Sequence, residues 1–90
     1  MAGGEGVVML LLLKNHTYIS ELDFKFSQDE IEILNIDKLN HISGGRTISK
    51  ASVTIYEEET YLVINFLERT PMEKICGSYE VFDVERVIIG

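Results

Sequence analysis

Between residues 19 and 26 apolar and polar side chains alternate, with Leu22, Phe24 and Phe26 on one side and Glu21, Asp23 and Lys25 on the other. That period of two sets successive side chains on opposite faces of a strand and predicts one that is half exposed. A stronger signal covers residues 47–66, where two runs of β-branched and aromatic residues flank Glu57, Glu58 and Glu59. A hairpin is expected there, with the three glutamates as its hydrated tip and Val53, Ile55, Tyr61 and Val63 on one face.

Residues 7–13 are continuously apolar, too few for an ordinary amphipathic helix, so they read as a central strand buried on both faces. The stretch that follows the alternating strand supports two readings. Ile31-Glu32-Ile33 after the polar turn 27–30 suits a returning strand, which we favour. Ser27 with Glu30 also matches a capping box, and Ile31, Leu34, Leu39 and Ile42 then share a helical face that stops at Gly44.

Gly44 and Gly45 mark a turn in either case, because glycine takes positive φ without steric cost. Thr70, Pro71 and Glu73 supply a cap, a first-turn proline and a capping acid in register, predicting a short helical turn over 71–76 that ends at Gly77. Residues 79–82 and 86–89 read as two closing strands around a turn near Asp83.

Roughly seven apolar segments at such spacing predict a mainly β fold, a small antiparallel meander barrel or sandwich. The alternative is α+β, with a helix at 28–41 packed on the sheet. Residues 1–6, rich in glycine, read as a flexible leader, and 7–90 as one domain, since ninety residues sit near the lower limit for a single core. In a chain of this length Leu22, Phe24, Val53, Ile55, Val63 and Phe82 are expected to fill the interior.

Charge changes the functional picture more than the fold. Fifteen acidic and eight basic residues give a net charge of −7, and the basic ones are dispersed. Such a field repels phosphate backbones and anionic lipid, so no direct nucleic acid and no membrane partner is expected, and a basic protein surface is the natural complement. The lone Cys76 makes no intramolecular disulfide, and the first residues lack a basic signal-peptide region, which predicts a cytoplasmic protein.

Candidate chemistry is sparse. His16, His41 and Cys76 have no partner at motif spacing, so neither a metal nor another cofactor is expected. Cys76, beside Ile75, reads as a small buried hydrophobe. There is no phosphate loop, dinucleotide fingerprint or calcium loop.

The expectation is a non-enzymatic protein-binding module acting through an acidic surface. Glu57, Glu58 and Glu59, with Asp83 and Glu85 near the final turn, steer a partner, and Tyr56, Tyr61 and Tyr79 are candidate anchors. A small inhibitor of a host or nucleic-acid-handling enzyme fits this class. So does a homo-oligomer built by extending the sheet through a free strand edge at Tyr79 and Val81 or at residues 87–89. The competing expectation is a small barrel that binds a small ligand in an interior pocket and hydrolyses it.

Overall fold

The structure is a computed structural model that describes residues 7–67 and 78–90. Six strands, β1 (Val7–Leu13), β2 (Tyr18–Ser27), β3 (Glu30–Ile33), β4 (Ile48–Tyr56), β5 (Glu59–Phe66) and β6 (Ser78–Ile89), pair antiparallel in chain order, and β6 pairs back onto β1. The fold is therefore a closed meander barrel, mainly β as the alternation implies. Closure settles the choice between barrel and sandwich. In the described ladders residues 79–81 pair with β5 alone and residues 87–89 with β1 alone, so each stretch has a ladder on one side only.

The strands are steeply staggered. A path across the pairs Ser27–Glu30, Glu30–Thr54, Thr54–Tyr61 and Tyr61–Asp83 reaches Lys14, whose N–H donates to the Asp83 carbonyl at 3.0 Å, and returns to β2 near Thr17 rather than at Ser27. Such stagger tilts strands in a closed barrel and fixes which inward side chains meet at the middle and which lie at the ends.

Met9, Leu11 and Leu13 of β1 point inward and pack with Leu22 and Phe24 of β2, Ile33 of β3, Val53 of β4, Leu62 and Ile64 of β5 and Val84 of β6. The outward residues of β1 are not buried in the same way: Val8 is half exposed. The expectation that β1 is covered on both faces fails because the strand is one stave of a barrel with no second layer outside it.

Strand β3 confirms the returning-strand reading of residues 31–33, and the helical alternative is realised only over Ile36–Ile42, as a 3-10 helix. Gln28 and Asp29 form the β2–β3 turn instead of a helical start, with Gln28 at φ 52°. Leu39 of the 3-10 helix is wholly buried, and Ile36 and Ile42 pack against the same core. Because this helix links the end of β3 to the start of β4, it closes the end of the barrel opposite the β2–β3 and β4–β5 turns.

The two expected closing strands are one. β6 runs unbroken through Asp83, pairing with β5 up to that residue and with β1 from Val84 onward. The polar cluster Asp83 to Arg86 that reads as a turn is a stretch of strand whose side chains are largely exposed. The helical turn expected over 71–76, Cys76, and the leader 1–6 lie outside the described residues.

Candidate functional site

The β4–β5 hairpin sets the geometry of the barrel's other end. Tyr56 pairs with Glu59, so the connection is the two residues Glu57 and Glu58, at φ 51° and 68°. Two successive left-handed residues mark a type I′ turn, whose twist suits a two-residue hairpin. Glu59 is thus the first residue of β5 rather than part of the tip, and its carboxylate meets Lys14 Nζ at 3.3 Å.

This register corrects the expected hairpin face. Val53 pairs with Leu62 and Ile55 with Thr60, while Tyr61 and Val63 lie opposite Thr54 and Ser52 on the outer face. One residue of loop length separates the two arrangements, and a slip of one residue exchanges the faces of a strand. Val63 therefore leaves the set expected to fill the interior, and Phe82 is only partly buried.

Phe26, Ile31, Val53, Ile55, Val87 and Ile89 line an open cavity of about 450 Å³, with Gln28, Asp29, Glu30 and Thr60 also on its wall. Ile55 is 70% exposed and Phe26 61%, although both occupy inward positions. Phe26 stands edge-on to the buried Phe24, with centroids 5.4 Å apart, so the ring that shapes the wall is braced by the core. The volume is in the range of small-ligand and side-chain pockets, and the lining is predominantly apolar. Sequence reasoning listed Ile55 as an interior filler and missed the cavity. The β4–β5 alternation marks the face, but stagger decides how far along the strand the interior is packed.

Two turns stand at the lip. The β2–β3 turn carries Asp29 and Glu30, both on the cavity wall, and the β4–β5 turn carries Glu57 and Glu58, one and two residues beyond Tyr56 and not among the residues that line it. Lys50 Nζ donates to Glu30 Oε2 at 2.8 Å. That hydrogen bond, with the attraction between the charges, holds the Glu30 carboxyl below the ordinary carboxylate value and Lys50 above the ordinary lysine value. The bond from Lys14 to Glu59 likewise raises Lys14. Among the described residues, Asp29, Glu57 and Glu58 make no ion pair.

The remaining residues singled out in the sequence fall on the outer wall. Tyr56 is exposed beside the turn, and Tyr61 opposes Asp83. Tyr79 opposes Asn65, four residues farther along β5, which is about 13 Å from Tyr61. Glu85 is exposed on β6, where that strand runs along β1. Hence Tyr56, Glu57, Glu58, Glu59, Tyr61 and Asp83 are neighbours in space, and Tyr79 is separate from them.

Among the described residues, the cavity wall carries no histidine, cysteine or serine. His16, in the β1–β2 turn, and His41, in the 3-10 helix, are both exposed. No group of three or more His, Cys, Asp or Glu among the described residues is arranged to hold a metal ion. No helix among them is long and apolar enough to cross a membrane. Comparison with protein-family models, with curated proteins and with solved structures finds no match to this chain.

Proposed function

We propose that the protein is a non-catalytic protein-binding module whose recognition face is the open end of the barrel. An apolar group of the partner enters the cavity while the acidic turns steer a basic surface toward it. The observation that carries this reading is the open apolar cavity lined by Phe26, Ile55 and Ile89, with the carboxylates of Asp29 and Glu30 on its wall. Exposed apolar concavities of this kind on small domains mark sites of association.

Binding rather than catalysis is favoured by the chemistry of the wall. Of its two carboxylates among the described residues, Glu30 is held ionised by Lys50, which disfavours a general-acid role at neutral pH. Charge at the lip acts chiefly on the rate of encounter, whereas the anchor in the cavity sets the lifetime of the complex.

The test is selection of peptides from a displayed random library on the immobilised wild-type protein, followed by kinetics of the recovered peptides. Ile55→Glu is expected to abolish their binding. Glu57→Gln with Glu58→Gln is expected to slow association and to weaken its salt dependence, with little change in dissociation. Recovery of no peptides, or of peptides that bind Ile55→Glu as well as wild type, overturns the reading.

A further inference from the structure

We infer that the occupant of the open end is an extended polypeptide segment in which one bulky apolar side chain is flanked on both sides by lysine or arginine. This rests on the binding role proposed above and specifies the ligand of that same site.

The argument begins with which carboxylates are engaged. Glu30 is paired with Lys50 and Glu59 with Lys14, so two of the acids near the lip are already neutralised within the fold. The remaining ones divide between the two turns at this end of the barrel. Asp29 stands at the β2–β3 turn, and Glu57 and Glu58 at the β4–β5 turn. Among the described residues none of these three is paired with a cation.

A single cationic headgroup on an apolar tail meets one of these turns and leaves the other unmatched. A chain that lays its anchor into the cavity and continues in both directions meets both. An anionic amphiphile such as a fatty acid finds the right wall but the wrong lip, and is repelled by a protein of net charge −7 as well. Each cation–carboxylate contact at such an exposed lip is worth about a two- to five-fold gain in affinity at low salt.

The experiment titrates the full chain with four synthetic peptides and with decanoate, following amide and methyl resonances of Ile55, Val87 and Ile89. The peptides carry phenylalanine between lysines, between serines or between glutamates, or serine between lysines. Phenylalanine between lysines is expected to bind tightest, about ten-fold tighter than between serines at low salt, with the gap closing as salt rises. Asp29→Lys combined with Glu57→Lys is expected to reverse the ranking, so that phenylalanine between glutamates becomes the preferred ligand.

If the serine- or glutamate-flanked peptide, or decanoate, binds wild type as tightly as the lysine-flanked one, this inference falls while the apolar-anchor reading stands. Failure of every phenylalanine peptide to perturb Ile55, Val87 and Ile89 sinks that reading too. Binding of serine between lysines as tightly as phenylalanine between lysines shows that no anchor is read, and likewise overturns the inference.

Discussion

Asn35 repairs the ladder of β2 where Glu21 interrupts it. Glu21 sits at φ 59°, where the pairing of β1 with β2 shifts register, and its carbonyl accepts from Asn35 Nδ2 at 2.9 Å. The Oδ1 of the same side chain accepts the Asp23 N–H at 2.8 Å, so one amide replaces the backbone of a strand that has already ended. A left-handed non-glycine residue in a strand persists only where its surroundings over-determine it.

Asn35→Ala is therefore expected to destabilise the fold by about 1–3 kcal/mol, because two backbone groups lose their partners together. Denaturant unfolding measures it. A change within about half a kcal/mol shows that water replaces the amide without cost.

The β4–β5 turn makes the opposite prediction. Glu57 and Glu58 occupy left-handed positions that favour Asn-Gly, at a cost of roughly 1–2 kcal/mol per residue. Glu57→Asn with Glu58→Gly is expected to raise stability by about 1–2 kcal/mol in all, or some 4–8 °C in Tm for each kcal/mol in a domain of this size. The same change is expected to slow association with a basic partner, so thermal melting and binding kinetics move in opposite senses. A fall in Tm shows the turn to be unstrained.

The strands were legible where alternation is local and unbroken. Leu22, Phe24 and Phe26 share the inward face of β2 as their spacing implies, and Glu30–Ile33 returns as a strand. What failed depends on quantities that local patterning does not contain. The face assigned to Tyr61 and Val63 turned on whether the loop has two residues or three, and glutamate is a poor advertisement for a left-handed turn. Asp83 and Glu85 looked like a turn because they are polar, yet a long barrel strand accepts them on its outer side.

The 3-10 helix was hidden because its apolar stripe, Ile36, Leu39 and Ile42, recurs every three residues rather than at the period of an α-helix. The cavity was hidden for a different reason. The stagger that leaves Ile55 and Phe26 exposed is a property of the whole closed sheet, whereas the charge of its lip was readable from Glu57 and Glu58 at once.

The Lys50–Glu30 pair gives the fold a defined dependence on pH. Glu30 is depressed, so its contribution is complete above the ordinary carboxylate value and is lost as pH falls through the lowered folded value. Lys50 is raised, so its share is complete below the ordinary lysine value and is lost as pH rises through the raised one. Both side chains are partly exposed, which limits the effect to roughly 0.2–1 kcal/mol. Lys50→Met is expected to be less stable than wild type by about that amount at neutral pH, and the gap should close in acid below the carboxylate range. A gap that persists there assigns the loss to packing of the lysine stem instead.

Leu39 offers the contrast that separates the two ends of the barrel. It is fully buried where the 3-10 helix closes the interior, whereas Ile55 stands exposed at the open end. Leu39→Ala leaves a void that the surrounding strands fill only in part, so a loss of about 2–5 kcal/mol is expected. Ile55→Glu buries no new charge and removes little packing, and is expected to change stability by no more than about half a kcal/mol. Binding at the open end should show the reverse order. Measured where both variants are folded, affinity for a lysine-flanked apolar peptide is expected to survive Leu39→Ala and to vanish with Ile55→Glu. Equal loss of affinity in the two variants would mean that the plug and the cavity behave as one unit, and the open end would then lose its standing as an independent recognition face.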